Sequence, residues 1–158
     1  MKGGFWYHSG NFDDVSSVDD NGSPVQYEAN YGGYGIIDQM LWQESEGQGL
    51  SVFLTGGVAP KNRNTVDSHL GGGINYIGLI PGRDKDQIGF AVSHASISNK
   101  KREAEGIDSG ETVLEGTYRF VLNDNITLQP DIQYIIDPSA DPAVKNATVV
   151  AVRFEMIY

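Results

Sequence analysis

Cysteine is absent from this chain of 158 residues, and cations are scarce: 11 lysines and arginines stand against 21 aspartates and glutamates. The lack of cysteine excludes disulfide bonds and cysteine-ligated metal sites. The net charge of −10 argues against nucleic acid as a partner, because phosphate backbones are bound by clustered lysine and arginine. No apolar run of about 18 residues occurs, which excludes a transmembrane helix but not a membrane barrel, whose strands are apolar only at alternate positions.

The start of the chain lacks the features of a secretory signal. Met1–Gly4 leads directly into the strand-like Phe5-Trp6-Tyr7, with no charged start followed by an apolar stretch. We therefore expect no signal peptide within this sequence. An exported protein of this kind would be a mature form or a piece of a longer one.

Strand-like alternation is what the sequence does contain. Aliphatic and aromatic residues alternate with small or polar ones through most of the chain, which is typical of half-exposed strands. No convincing amphipathic helix is present, and the one helix-like patch, 100–106, is short and charged. We predict eight strands, approximately at residues 2–10, 31–43, 49–59, 67–80, 87–98, 111–122, 126–136 and 148–158.

The last strand shows the alternation most clearly, because it continues to a terminal aromatic residue. Termini of soluble domains usually fray, whereas the closing strand of an outer-membrane barrel stays regular and ends in the interfacial aromatic girdle. One side of this strand carries Val150, Val152, Phe154, Met156 and Tyr158, and the other carries Ala151, Arg153 and Glu155.

The polar side of the predicted strands is rich in glycine, serine, alanine and threonine, and the chain has 20 glycines. A solvent-facing sheet of a soluble protein would carry many more lysines and glutamates. The composition therefore favours a face that borders a water-filled lumen, with the apolar face toward lipid. The alternative is a soluble sandwich or lipocalin-like fold whose apolar face is inside. The first two strands stay ambiguous, because Trp6 and His8, or Asp38 and Gln39, fit either face.

The connections alternate in length in a way that agrees with a barrel. If the chain ends at the periplasm, the longer connections Asn11–Asn30, Asn99–Gly110 and Asp137–Ala147 fall outside together with the shorter Pro60–Val66. The remaining turns, Ser45–Gln48, Pro81–Asp86 and Asn123–Asn125, fall inside. Bacterial outer-membrane barrels have short periplasmic turns and longer extracellular loops.

Polar side chains cluster on the predicted inward face of the last three strands. Carboxylates, guanidinium groups and amides alternate there, and such groups can replace the hydroxyl hydration of a sugar by hydrogen bonds. The alternative role is structural, with opposite charges pairing across strands to brace the wall. The candidate pore-lining and sugar-contacting residues are Glu115, Arg119, Gln129, Asp131, Gln133, Arg153 and Glu155.

Other chemistry-bearing residues give weaker signals. Aromatic residues can stack on sugars, but an interfacial girdle is the favoured interpretation for Trp6, Tyr7, Tyr31, Tyr34, Trp42 and Tyr158. The three histidines, His8, His69 and His94, are not spaced with carboxylates as a metal site requires. No motif marks a nucleophile, so we expect no catalytic residue, no cofactor and no metal.

Several stretches resemble the carbohydrate-selective porins of the OprB type, and together they cover most of the chain. Each stretch is weak alone, and the combination is specific. They are residues 3–10 (GGFWYHSG), 35–42 (GIIDQMLW), 49–53 (GLSVF), 59–64 (APKNRN), 73–84 (GINYIGLIPGRD), 111–118 (ETVLEGTY) and 128–134 (LQPDIQY).

The resemblance implies an all-β, antiparallel transmembrane β-barrel, with residues 1–158 forming a single segment of eight strands. This segment is similar to the C-terminal half of a porin of about 16 strands. The N-terminal half with its constriction loop would be missing, and the edge strands near Phe5 and Phe154 would need it, because unpaired edges cannot face lipid.

The implied function is passive diffusion of small carbohydrates across the bacterial outer membrane. The implied surroundings are outer-membrane lipid and lipopolysaccharide, and a homotrimer is what the resemblance suggests. Two other functions stay open at this point. One is a small eight-stranded barrel that acts as a structural anchor or adhesin, and the other is a soluble ligand-binding β-protein.

Overall fold

The computed structural model describes all residues from Met1 to Tyr158. The chain forms ten strands and two short helices, and neither helix is long or apolar enough to cross a membrane. In chain order the elements are β1 (Lys2–His8), β2 (Phe12–Val18), β3 (Pro24–Tyr27), β4 (Asn30–Ser45), β5 (Gln48–Val58), β6 (Val66–Ile77), β7 (Gln87–Ile97), α1 (Asn99–Glu105), β8 (Gly110–Asn123), β9 (Ile126–Ile136), the 3-10 turn Pro138–Ala140 and β10 (Ala147–Met156).

Eight of the strands form one antiparallel sheet in the order β1-β4-β5-β6-β7-β8-β9-β10. The prediction of an all-β, antiparallel architecture is confirmed. Each strand after β4 pairs with its neighbour in sequence, as short connections dictate. The sheet is open, with β1 and β10 as its two edges, which are the strands that contain Phe5 and Phe154. It does not close into a barrel within this chain, as expected for one segment of a larger barrel.

The first long connection contains a hairpin that the sequence did not predict. Strands β2 and β3 pair across a turn at Asn21-Gly22, where Gly22 has a φ of 81°. The carboxylate of Asp19 accepts bonds from the backbone N–H groups of Asn21 and Ser23, both at 2.9 Å. Asn-Gly between two strands is the strongest short hairpin signal. The apolar residues of β2, Phe12, Val15 and Val18, are three positions apart instead of two, so strand-like alternation did not reveal the hairpin.

The pairing register assigns a face to every residue of the sheet, because directly opposite residues project to the same side. One continuous row across neighbouring strands is Asp38, Phe53, Gly73, Ala91, Glu115, Gln133 and Val149. The adjacent row is Ile37, Leu54, Gly72, Val92, Leu114, Tyr134 and Thr148. We call the face that carries Glu115 the polar face and the face that carries Leu114 the apolar face.

No second layer covers either face, and only 10 of 158 residues are buried. Large apolar side chains on the apolar face stay open: Ile132 is 54% exposed, Val152 62% and Phe154 58%. A soluble sandwich would bury these side chains against another sheet. The dry centre that the soluble alternative requires is therefore absent from this chain.

The pairing register resolves the ambiguity of the first two predicted strands. Asp38 pairs with Phe53 on the polar face, and Gln39 pairs with Val52 on the apolar face. The register then shifts between Met40 and Trp42, which moves Trp42 onto the apolar face, with its ring 6.1 Å from that of Tyr76. In β1, Trp6 and His8 pair with Gly32 and Asn30, which places both on the polar face.

Candidate functional site

All seven predicted polar side chains lie on the polar face of β8, β9 and β10. Glu115 is directly opposite Gln133, and Gln129 is directly opposite Arg153. Asp131 lies between Thr117 and Ala151, and Glu155 is opposite Thr127. We call this surface, formed by the polar-face residues within 115–119, 127–133 and 151–155, the polar wall. Its role in contacting sugars stays a prediction.

Hydrogen bonds tie the amides of the polar wall to the neighbouring strand. Gln133 donates through Nε2 to Oε2 of Glu115 at 3.1 Å, and Gln129 donates to Oγ1 of Thr117 at 2.9 Å. The Thr117 hydroxyl in turn donates to the backbone carbonyl of Pro130 at 3.0 Å. Each amide keeps further donor and acceptor capacity, because an amide side chain has two N–H groups and a carbonyl oxygen.

Arg119 reaches across the whole wall. Its Nη2 donates to Oγ1 of Thr127 at 3.2 Å and lies 3.7 Å from Oε2 of Glu155. The side chains of Arg119 and Glu155 remain 31% and 51% exposed. Because both groups keep contact with solvent, the ion pair braces the strands only weakly and leaves charge available at the surface.

Aromatic rings cover the polar face at the opposite side of the sheet, on β1, β4 and β5. A Cβ atom at Gly4 would lie 2.6 Å from Cζ of Tyr34, and one at Gly73 would lie 2.6 Å from Cε1 of Phe53. In the same way, Nε1 of Trp6 lies 2.6 Å from the Cβ position of Gly32. Each ring therefore rests on a glycine of the adjacent strand.

These positions correct part of the girdle interpretation. An interfacial girdle does not fit Trp6 and Tyr34, whose side chains lie on the polar face, which the sequence alone had left open for these strands. Tyr7 and Tyr31 pair with each other on the apolar face. Trp42 is also on the apolar face, and Tyr158 is fully exposed beyond the end of β10.

The histidines occupy three separate environments. His69 lies on the polar face with Nε2 2.9 Å from Oγ of Ser93. His94 lies on the apolar face with Nδ1 2.8 Å from Oγ1 of Thr112, its direct partner in β8. His8 accepts the backbone N–H of Gly10 at 2.9 Å.

At one end of the sheet the four connections contact one another, and we call residues 11–29, 60–65, 98–109 and 137–146 the loop cluster. Val15 donates its backbone N–H to the Asn62 carbonyl at 2.9 Å, and Asp108 donates to the Ala140 carbonyl at 2.8 Å. The guanidinium of Arg63 stacks over the Tyr27 ring, with 4.2 Å to the centroid. The predicted grouping of these connections at one end is confirmed by these contacts.

Asp14 is the buried charge at the centre of the loop cluster. Lys100 of α1 donates to its Oδ2 at 2.9 Å, and the Tyr27 hydroxyl donates to the same atom at 2.9 Å. The backbone N–H groups of Ser16 and Ser17 bind Oδ1 at 3.0 and 2.8 Å. Burial by itself would raise the pKa of Asp14, but these four donors outweigh it and hold the pKa well below its ordinary value.

Asp86 plays a similar role at the opposite end, in the turn before β7. It accepts bonds from the Arg83 Nε at 2.7 Å, the Tyr118 hydroxyl at 2.9 Å and the backbone N–H of Val121 at 2.9 Å. Burial opposes ionisation, and these donors more than offset it, so the pKa of Asp86 lies below its ordinary value. From the sequence alone, this segment is predicted only as a turn.

Comparison with known proteins agrees with this architecture. The model of the carbohydrate-selective porins of the OprB family matches residues 1–157. Porin B of Pseudomonas aeruginosa is 26% identical over 182 aligned residues, which cover 98% of this chain and 40% of that protein. The chain thus spans less than half the length of this curated relative.

Solved structures show the same fold. The high-pH structure of OprB from Pseudomonas putida superposes with a TM-score of 0.87 at 26% identity, covering 98% of this chain and 43% of that one. The low-pH structure of the same protein gives a TM-score of 0.57 over 86% of this chain and 41% of that one. The chain belongs to the carbohydrate-selective porin family of the OprB type.

Proposed function

We propose that this chain is one part of a water-filled β-barrel of the bacterial outer membrane, through which small carbohydrates diffuse passively. The observation that carries the proposal is the division of one exposed sheet into an apolar face and a polar face. Family membership supports it, because the family is one of channels selective for carbohydrates rather than of enzymes.

The apolar face is suited to contact with lipid. Its central side chains include Leu70, Phe90 and Ile132, which are 61%, 55% and 54% exposed. Arginine or lysine on a lipid-facing surface costs about 2–4 kcal/mol at the bilayer midplane. Arg119 and Arg153 lie on the polar face instead, where water fills the lumen of the proposed barrel.

The open edges indicate what completes the structure. Strands β1 and β10 each leave one row of backbone N–H and C=O groups without a partner in the sheet. Such groups cannot face hydrocarbon, because each unsatisfied group costs several kcal/mol there. The relatives are more than twice as long as the matched segment. We infer that strands of an N-terminal half pair with both edges and close the barrel.

The polar wall supplies the chemistry that a permeating sugar needs. Its amides and charged groups offer donors and acceptors in close succession along β8, β9 and β10, so a hydroxyl released from one group meets the next. Groups that already make one hydrogen bond within the wall bind a passing hydroxyl with their remaining donors and acceptors, and only weakly. Conduction requires such multiple weak contacts.

Planar bilayers containing the complete barrel test this proposal. We expect ion-conducting channels whose current falls as a neutral monosaccharide is added, together with liposome swelling in isosmotic monosaccharide. A barrel that refolds with heat-modifiable gel mobility but conducts no ions and admits no sugar would overturn the proposal. That outcome would leave the structural-anchor function in its place.

A further inference from the structure

A groove runs along the apolar face over β4 and β5. Its floor lacks side chains, because Gly35 is directly opposite Gly56 and follows Gly33 on the same face of β4. A Cβ atom at Gly35 would have nothing within 4 Å. Three adjoining depressions share these glycines and make the groove continuous from Tyr31 to Leu54.

Apolar side chains form the walls of the groove and close the end that points away from the loop cluster. Phe5 and Val58 flank Gly33, since both are its direct partners in the neighbouring strands. Beyond the glycines, Ile37 pairs with Leu54 and ends the groove. Phe5 is 87% exposed and Val58 64%, so no part of this chain fills the space between them.

The groove has the length of an acyl chain in one leaflet of a membrane. Tyr31 and Ile37 are six residues apart on β4, which is about 20 Å along a strand. Since barrel strands are tilted by about 40°, this length corresponds to a depth of about 15 Å. That depth is about half of the hydrocarbon core, so the groove spans the leaflet nearest the loop cluster.

A guanidinium group without a carboxylate partner lies at the end of the groove nearest the loop cluster. Cζ of Arg63 is 4.2 Å from the centroid of the Tyr27 ring and 5.7 Å from that of Tyr31. Its Nε donates to Oδ1 of Asn62 at 3.2 Å and its Nη1 to the Ala29 carbonyl, while Nη2 has no protein partner. None of the ion pairs of the chain includes Arg63.

The groove and the cation together match one phosphorylated lipid. An apolar groove accepts any acyl chain, whereas a fixed guanidinium with a free Nη2 donates charge-assisted bonds to a phosphate. Lys61 is exposed in the same connection and adds a second positive charge. In the proposed orientation the loop cluster is extracellular, and the phosphorylated lipid of that leaflet is lipopolysaccharide.

We propose that the groove holds one acyl chain of a lipopolysaccharide molecule, and that Arg63 and Lys61 bind a phosphate of its lipid A headgroup. This inference rests on the proposed location in the outer membrane and adds a lipid site on the outer surface of the barrel. A second depression on the apolar face, beside Gly116, Phe90 and Ile132, has no lysine or arginine in its lining. It lacks the headgroup contact and provides a comparison.

Native mass spectrometry of the complete barrel in detergent, titrated with purified lipid A, tests the site. Arg63→Gln removes the cation, and Lys145→Gln is its control, because Lys145 belongs to another connection of the loop cluster. Gly35→Val fills the floor of the groove. Gly116→Val is its control, because it fills the second depression at an ordinary distance of 3.6 Å from the Phe90 ring. Dephosphorylated lipid A and phosphatidylglycerol are titrated in parallel, and the conductance of each variant is recorded in a planar bilayer.

We expect one lipid A molecule per barrel. Arg63→Gln should raise the Kd about tenfold, as loss of a charge-assisted bond implies. Gly35→Val should raise it about threefold, because the acyl chain loses dispersion contacts with the floor. Both controls should bind lipid A as the wild type does, and conductance should not change in any variant.

The other two lipids separate the headgroup from the chain. Dephosphorylated lipid A should bind the wild type and Arg63→Gln equally, because it has no phosphate for the guanidinium. Phosphatidylglycerol should bind the wild type about tenfold more weakly than lipid A, since its phosphodiester carries one charge and a phosphomonoester carries about two.

Equal affinity of Arg63→Gln and Lys145→Gln for lipid A would overturn the site, as would equal affinity of the wild type for phosphatidylglycerol and lipid A. A barrel dimer that Gly35→Val dissociates would also overturn it, because the groove would then be an interface between copies. Each of these results leaves the porin function intact, since conductance is measured separately. Wild-type barrels that bind lipid A but conduct no ions would contradict the porin function and support the lipid site.

Discussion

Lys100 and Asp14, 86 residues apart in the chain, form an ion pair with 2.9 Å between Nζ and Oδ2. The Asp14 side chain is fully buried, while Lys100 is 35% exposed. This contact attaches the β2–β3 hairpin to α1. It therefore joins two connections of the loop cluster, residues 11–29 and residues 98–109.

Asp14→Asn should release the hairpin. The substitution removes the charge that Lys100 and two backbone N–H groups bind, and the loss of one charge-assisted bond corresponds to about a tenfold increase in local opening. Limited proteolysis at the Asp19–Ser23 turn measures that opening. Asp13→Asn is the control, since Asp13 is exposed and bonds only Nε2 of Gln26. Equal cleavage of the two variants would contradict the role assigned to Asp14.

The Asp14 carboxylate also determines the pH range over which the hairpin stays attached to α1. Its pKa in the folded state lies below its ordinary value. Because of this lowered pKa, ionised Asp14 contributes its full stabilisation at any pH above the pKa of an unfolded aspartate, about 3.9. That contribution is lost as the pH falls through the pKa that Asp14 has in the folded protein. We expect hairpin protection, measured by hydrogen exchange corrected for intrinsic rates, to be constant from neutral pH to about 4 and to decline only in stronger acid. A transition centred near pH 6 would contradict this assignment.

Adjacent arginine substitutions in β9 test which face meets lipid. Ile132→Arg places a cation on the apolar face and should destabilise the complete barrel by about 2–4 kcal/mol in urea unfolding from lipid. Gln133→Arg places the same side chain on the polar face, where water is present in the proposed lumen, and should change stability by less than about 1 kcal/mol. The reverse order would mean that the face assignment is inverted.

Gly73→Ala tests the close packing beneath Phe53. The added methyl would lie 2.6 Å from both Cε1 of Phe53 and the backbone oxygen of Phe90, and the backbone oxygen cannot move away freely. Overpacking of this kind costs about 1–3 kcal/mol. Gly35→Ala serves as the control, because nothing lies within 4 Å of its Cβ position. Equal stability of the two variants in urea unfolding would show that Phe53 does not rest on Gly73.

Arg119→Gln separates a conducting role of the polar wall from a bracing role. The pair with Glu155 is long, at 3.7 Å, and half exposed, so its loss should lower stability by less than about 1 kcal/mol. Removal of a cation from the lumen should shift the reversal potential in a salt gradient toward cation selectivity. A marked loss of stability without a change in reversal potential would favour bracing alone.

Most of the sheet was predictable because apolar and polar residues alternate through the greater part of β5 to β10. The two-residue period of a strand predicts that Glu115, Gln133 and Arg153 share one face, and the pairing register agrees. The bulge between Met40 and Trp42 breaks that count, so the face of Trp42 cannot be derived from Asp38 without the register. The same limitation applies to Trp6, whose face follows from its partner Gly32.

The contacts of the loop cluster were beyond sequence reasoning for a different reason. Asp14 and Lys100 belong to separate polar connections, and no periodicity relates residues that meet only after the sheet has formed. The sequence predicts only a long connection at Asn11–Asn30, whereas Asp14 within it is buried and paired. The Asn21-Gly22 dipeptide was the one local signal of the hairpin there.

The contacts within the loop cluster bear on the entrance of the proposed channel. Bonds and stacking through Lys100, Arg63 and Asp108 hold the four connections of this chain to one another, so that none of them moves independently. The part of the entrance that this chain contributes would therefore keep one shape while solutes pass.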